Sequence, residues 1–212
     1  MITATISFNS DFHIGSGIGK AGYIDSLFVK DGQGNPTIPG QTLKGVTRDS
    51  CIRIANSLEV EHCISNKNKK HCCNCIICRI FGRASRPSKY LFSPAHLKTA
   101  VDDEKYPVRK RTGIDRETGT AKENALFSTE VAPCNLEFEF TIKPKPPYQL
   151  DELEVTLLKA SILWTREIGG NRRRGLGHCT MTITEPAINK AVFKEELERL
   201  RDFNKDVEGT DV

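Results

Sequence analysis

No stretch of this sequence is apolar for anything near the roughly 18 residues that a membrane span requires, so no membrane partner is expected. The opening residues, Met1-Ile2-Thr3-Ala4-Thr5-Ile6, alternate and lack a basic flank, so no secretory signal is expected either. Charge of one sign is not in large excess: 31 Lys and Arg against 27 Asp and Glu leave +4. A net charge of that size does not by itself argue for a nucleic-acid partner; its grouping into a few loops says more. No segment before the last ten residues has the composition of a disordered chain. Nor are the eight cysteines spread as a secreted disulfide framework would spread them, since five fall between Cys63 and Cys78. These absences leave a cytoplasmic protein with a clustered metal site as the expectation.

What is present suits one domain with elaborations, since 212 residues can bury a core without staples. Ile2, Ala4, Ile6 and Phe8 alternate as a strand. Leu43, Val46, Cys51, Ile54, Ala55 and Leu58 recur at helical spacing, with Thr42 as the expected N-cap. A strand is expected near Tyr90 to Ala95, and another at Leu136, Phe138, Phe140 and Ile142, ended by Pro144, Pro146 and Pro147. Leu153, Leu157, Ala160, Trp164 and Ile168 mark a second helix capped by Asp151 and stopped by Gly169-Gly170, with Trp164 packing in the core. Cys179, Met181 and Ile183 form a last strand, and Val192, Leu197, Leu200 and Phe203 a terminal amphipathic helix. Cys51, Cys134 and Cys179, in or beside these elements, read as small buried residues. The order strand, helix, strand, strand, helix, strand predicts an α+β, ferredoxin-like βαββαβ fold. Two insertions, 62–89 and 97–134, hang between its elements, and long loops in compact domains are often functional.

Two glycine-rich segments stand out. Gly17-Ile18-Gly19-Lys20-Ala21-Gly22 matches the dinucleotide fingerprint by letter, but extended chain rather than a helix follows at Tyr23 to Val29, so that reading fails. Gly169-Gly170-Asn171-Arg172-Arg173-Arg174-Gly175-Leu176-Gly177 puts four glycines around three arginines, which suits a bent phosphate backbone better than a plain solvated turn. A third cluster, with Cys72, Cys75 and Cys78 in C-x-x-C spacing and Cys63 upstream, has the ligand types of a structural zinc site. Cys75 and Cys78 are its safest pair. Cys63, Cys72, Cys75 and Cys78 make four ligands, with His62, His71 and Cys73 as alternatives.

Phe12-His13-Ile14-Gly15-Ser16-Gly17, Ile38-Pro39-Gly40-Gln41-Thr42-Leu43-Lys44-Gly45-Val46-Thr47-Arg48, Cys78-Arg79-Ile80-Phe81-Gly82, Thr112-Gly113-Ile114-Asp115-Arg116 and Glu130-Val131-Ala132-Pro133 follow in order. Together with the Gly169–Gly177 loop, these segments resemble the RAMP superfamily, and within it the repeated, guide-RNA-binding backbone subunits of type III CRISPR effector complexes. The resemblance implies a palm that packs against copies of itself and other effector subunits along a guide RNA. It implies RNA contacts from His13, Gly15 and Ser16, from Lys44 and Arg48, and from Gly169, Gly170, Asn171, Arg172, Arg173, Arg174, Gly175 and Gly177. The basic excursion holding Lys105, Arg109, Lys110, Arg111, Arg116 and Lys122 resembles the family's thumb, a hairpin inserted between guide and target RNA, with Arg111 and Arg116 as its expected RNA contacts.

The resemblance also implies chemistry. Gly22-Tyr23-Ile24-Asp25 looks like the loop whose aspartate is needed to cut target RNA, which makes Asp25 the candidate catalytic residue, acting with Mg²⁺ or another divalent cation. A carboxylate beside RNA is costly unless a cation accompanies it. Asp31 in the neighbouring turn is its rival. A purely architectural subunit is one alternative, and a guide-processing ribonuclease using His13 is another.

Overall fold

The computed structural model describes residues 1–63, 75–83, 86–99 and 106–202. Alternation of Ile2, Ala4, Ile6 and Phe8 produces strand β1 (Ile2–Phe8), with all four side chains buried. It lies between two antiparallel partners, β6 (Glu137–Pro144) and β7 (Cys179–Glu185). Registering Ala4 with Phe140 and Ile6 with Phe138 puts the apolar residues of both strands on one face, as a period of two demands. The other side of β6 carries β2 (Tyr90–Phe92), followed by the two-residue β3 (His96–Leu97), giving the strand order β2-β6-β1-β7.

Helix α1 (Gly40–Ser57) lies on the β1-to-β2 connection and α3 (Glu152–Trp164) on the β6-to-β7 connection. The strands each connection joins are separated by one intervening strand. The two helices pack on each other through Ser50 Oγ and Thr165 Oγ1 at 2.9 Å. Leu43, Thr47, Ser50, Cys51 and Ala55 form the buried stripe of α1. Asp151 caps α3, its side chain accepting the Glu154 amide, as expected. Helix α4 (Lys190–Asp202) follows β7 and seats Leu200 in the core. Among the described residues no helix is long and apolar enough to cross a membrane.

Four expectations need correction. Helix α1 begins at Gly40, not after a Thr42 cap: Pro39 (φ −58°) occupies the cap position, and a Cβ at residue 40 would collide with the Phe92 carbonyl. Helix α3 stops at Trp164 rather than running through Ile168, because Thr165 turns extended and Ile168 donates its amide to Gly177 O at 2.9 Å. Trp164 is not core: it is 61% exposed at the overhanging end of α3. The expected strand at Tyr90 to Ala95 is split, with Ser93-Pro94 between β2 and β3.

Both insertions carry structure. The first contains helix α2 (Ile76–Phe81), whose Ile76, Ile77, Cys78, Ile80 and Phe81 are buried. The second contains a separate hairpin of β4 (Val108–Ile114) and β5 (Ala121–Glu130). Its turn is held by Asp115 Oδ1, which accepts the amides of Glu117 and Thr118 at 2.9 and 3.1 Å. The hairpin is mostly exposed, but its base, Ser128 to Glu130, is buried against the body.

Candidate nucleic-acid interface and metal centre

The segment after β1 returns along the Gly169–Gly177 loop and is stitched to it by backbone. Gly170 donates to His13 O at 2.8 Å and Gly177 donates to Asp11 O at 2.8 Å. That contact explains the glycines: Gly169 has φ +101°, and a Cβ there would stand 2.5 Å from His13 O. The amides of Gly170 and Gly177 are therefore engaged within the chain. Arg172, Arg173 and Arg174 form a single exposed 3-10 turn between Asn171 and Gly175, both left-handed.

An open groove of about 500 Å³ runs between these loops and α1, bordered by Gly15, Thr42, Gly45, Gly169, Gly170 and Arg172. Three segments far apart in sequence converge there. Lys44 and Arg48 do not line this groove; both are half-buried, and Lys44, two residues from Thr42 and from Val46, falls on roughly the opposite side of α1. Burial, followed by the neighbouring charges of Lys145 and Arg48, pushes the Lys44 ammonium below its usual range. Ser16 is exposed, its amide donating to Leu27 O and its hydroxyl reaching the same carbonyl.

His13 sits beneath the groove, not in it. It is buried, with Nδ1 2.7 Å from Glu130 O and Nε2 3.0 Å from Ser26 Oγ. A carbonyl can only accept, so Nδ1 carries a proton, and in the neutral ring Nε2 accepts from the serine. With both nitrogens engaged, this imidazole is a brace, and an acid–base role on RNA would require it to leave both partners.

The hairpin meets the groove through Arg111, whose guanidinium bonds Asn171 Oδ1 and, at 2.6 Å, Thr129 Oγ1. Arg109 pairs with Asp11, and Lys122 lies 3.7 Å from Asp115. Lys110 and Arg116 are exposed. Lys105 lies outside the described residues.

Asp25 projects from the loop that pairs Lys20 with Ile24, and its side chain is exposed. Its Oδ2 accepts two hydrogen bonds from Ser128, from the amide at 2.6 Å and the hydroxyl at 2.8 Å. The backbone hydrogen bond from Ser128, reinforced by the hydroxyl, holds the Asp25 carboxyl below its usual pKa. Asp31, the rival, spends Oδ1 on the amides of Gln33 and Asn35 in its own turn. Ser128 was invisible to sequence reasoning, since it lies 103 residues from Asp25 and no local pattern marks it.

The sulfurs of Cys63, Cys75 and Cys78 all lie within 4.8 Å of one another, with Cys63 3.4 Å from Cys78 and 3.7 Å from Cys75. Zn–S bonds of about 2.3 Å put tetrahedral sulfurs about 3.8 Å apart, so this triad could hold a metal such as zinc. Cys75 caps α2 and Cys78 lies in its first turn, which is how C-x-x-C brings two sulfurs to one point. His62 is not in the cluster: it is buried and its Nε2 reaches Asn56 Oδ1 at 3.0 Å. Cys72, His71 and Cys73 lie outside the described residues. Cys51 and Cys179 are buried, with burial pushing both thiols up to about 12, while Cys134 is half-buried.

No curated protein matches the chain. In fold it is similar to a chain of the type III-B Cmr-beta complex in its apo state, seen by cryo-electron microscopy, with a TM-score of 0.60 at 16% identity over 88% of this chain and 98% of that one. It is equally similar to a chain of the type III-B Cmr-beta complex bound to cognate target RNA, with a TM-score of 0.61 at 14% identity over 92% and 98%. The family model of the RAMP superfamily matches residues 5–180, spanning β1, both insertions, the groove loops and the start of β7. The chain belongs to the RAMP superfamily.

Proposed function

We propose that this chain is a backbone subunit of a type III CRISPR effector complex that holds guide RNA in its groove and cuts the paired target RNA. The observation that carries the reading is the convergence of Gly15, the start of α1 and Arg172 on one open groove, in a chain of the RAMP superfamily. The strand order β2-β6-β1-β7, with two split connections, supports a ferredoxin-like palm, and we read the chain as one domain with a metal-binding insertion at 62–89 and a thumb at 97–134. The solved relatives belong to Cmr complexes, one with target RNA bound, which favours RNA and other effector subunits as partners in a cytoplasmic setting.

RNA contacts fall to Arg172, Arg173 and Arg174, to half-buried Lys44 and Arg48 elsewhere on α1, and to exposed Gly15, Ser16, Gly175 and thumb Arg116. These are backbone contacts and carry no sequence preference. His13, Gly169, Gly170, Asn171, Gly177 and Arg111 shape that surface from within through the bonds described above. Zinc, held by Cys63, Cys75, Cys78 and a fourth ligand such as Cys72, organises the first insertion.

Cleavage falls to Asp25. Ser128 takes Oδ2, and among the described residues no hydrogen bond reaches Oδ1. One carboxylate oxygen is the kind of single ligand that Mg²⁺ accepts beside water and phosphate. A divalent cation there would stabilise charge at the scissile phosphate, while Asp25 orients the attacking 2′-hydroxyl. The test is target-RNA cleavage by the assembled guide complex, wild type against Asp25→Ala, with Mg²⁺ and with chelator. Loss of cuts with RNA binding retained is expected. Cuts that persist in the variant would make this chain a scaffold whose Asp25 is inert.

A further inference from the structure

We infer that Ser128, on the second thumb strand β5, is the positioning residue that aims Asp25 at the target strand and makes the carboxylate move with the thumb. The inference rests on the reading of Asp25 as the cleavage carboxylate. Asp25 follows a loop with glycines at 17, 19 and 22, two of them at positive φ, and little within that loop would fix an exposed side chain. Ser128 supplies the constraint. It is buried, with 8% exposure, at the point where β5 enters the body. Its amide and its hydroxyl both donate to Asp25 Oδ2, at 2.6 and 2.8 Å.

The hold is reciprocal. Asp25 and Ser26 donate their amides to Ser128 O at 3.1 and 3.2 Å, and Glu130 donates its amide to Ser26 O at 2.9 Å. The Ser128 hydroxyl has one proton and two acceptors within reach, Asp25 Oδ2 at 2.8 Å and Tyr23 O at 3.3 Å. The charged and nearer acceptor takes it. Two donors on one oxygen fix the plane of the carboxylate and turn the other oxygen outward. Those donors belong to β5, so the carboxylate and the hairpin that would lie between guide and target form one body.

A purely structural role for Ser128 would be to hold the loop in place, and the test separates that from positioning. Ser128→Ala keeps the strand and its amide but loses the hydroxyl; Ser128→Thr restores a hydroxyl on a β-compatible residue. In assembled guide complexes, Ser128→Ala is expected to lower kcat for target cleavage by about 10- to 100-fold. Target-RNA affinity and KM should stay within about twofold, since groundwork for binding is untouched. Ser128→Thr should recover most of the rate, and Asp25→Ala/Ser128→Ala should cut no more slowly than Asp25→Ala alone. In the isolated chain, exchange at the Ser26 amide, which donates to the Ser128 main-chain carbonyl that alanine keeps, should stay within about twofold of wild type in Ser128→Ala. Wild-type kcat in Ser128→Ala while Asp25→Ala is dead overturns the inference alone. So does a fall in kcat matched by a fall in RNA affinity, or exchange at Ser26 sped up by about tenfold or more, which would mark Ser128 as a residue that only holds the loop. Cutting by Asp25→Ala at the wild-type rate overturns the parent reading, and the inference with it.

Discussion

Glu154 is fully buried on α3 and carries the densest set of charges in the interior. Arg79 Nε stands 2.7 Å from Oε1, Lys89 Nζ 2.7 Å from Oε2, and the Tyr90 hydroxyl donates to Oε2 at 2.8 Å. Arg79 also pairs with the cap residue Asp151 at 2.8 Å. The node thus ties α2, the helix that bears Cys78, to the start of α3. Glu154→Gln removes the charge and little volume. Removing one partner of a buried ion pair costs about 3–5 kcal/mol. Arg79 keeps Asp151, and the Arg79 and Lys89 side chains retain 26% and 16% exposure, so water reaches both. Those two features bring the expected loss below that range, to about 2–3 kcal/mol. Urea unfolding is the assay: with a slope of about 2–3 kcal/mol/M, the midpoint should fall by about 1 M. A fall under about 0.3 M would mean that the charge adds almost nothing beyond shape, which would refute the reasoning.

Zinc should copurify at about one ion per chain, and Cys78→Ser should abolish it, because three sulfurs already stand at ligand spacing. Chelation should lower Tm by about 4–8 °C if the ion contributes about 2 kcal/mol; metal-free protein with an unchanged Tm would refute the site. Trp164→Ala should cost less than about 1 kcal/mol, against about 3–5 for a buried tryptophan, since the ring is 61% exposed. A loss above about 2 kcal/mol, read from the urea midpoint, would show that the groove beside it closes over the ring.

The strands β1, β6 and β7 were legible because a half-buried strand writes its burial at period two, and the Asp151 cap because a carboxylate at a helix start satisfies orphan amides. Helix α2 was not legible: six residues are under two turns, and five of them are buried, so no stripe distinguishes one face. The strands of the thumb were hidden for the opposite reason, since β4 is exposed along most of its length and leaves no alternation. Trp164 misled because its spacing from Leu157 and Ala160 places it on an apolar face, but periodicity does not reveal where the neighbouring helix ends. The ring instead overhangs an open groove beside Arg53, Phe193 and Leu197. For the site, composition located the arginine loop and the cysteines, while the bond between Asp25 and Ser128 spans 103 residues and is written only in the fold.

The same limit changes how the basic residues are understood. A count of cations in the thumb suggests a surface made for phosphate, yet Arg109, Arg111 and Lys122 have partners in Asp11, in Asn171 with Thr129, and in Asp115. Arg111 in particular joins the base of the hairpin to the glycine loop, so its work is to orient one of these segments against the other. The glycines behave alike: Gly169 and Gly177 are required where backbone meets backbone, at His13 and at Ile168. What those contacts leave outward is the turn Arg172–Arg174, presented by a loop whose Gly170 and Gly177 amides are already engaged within the chain. A guanidinium held that way meets a phosphate without first giving up a partner, so the charge that matters for affinity is the charge the fold has not used.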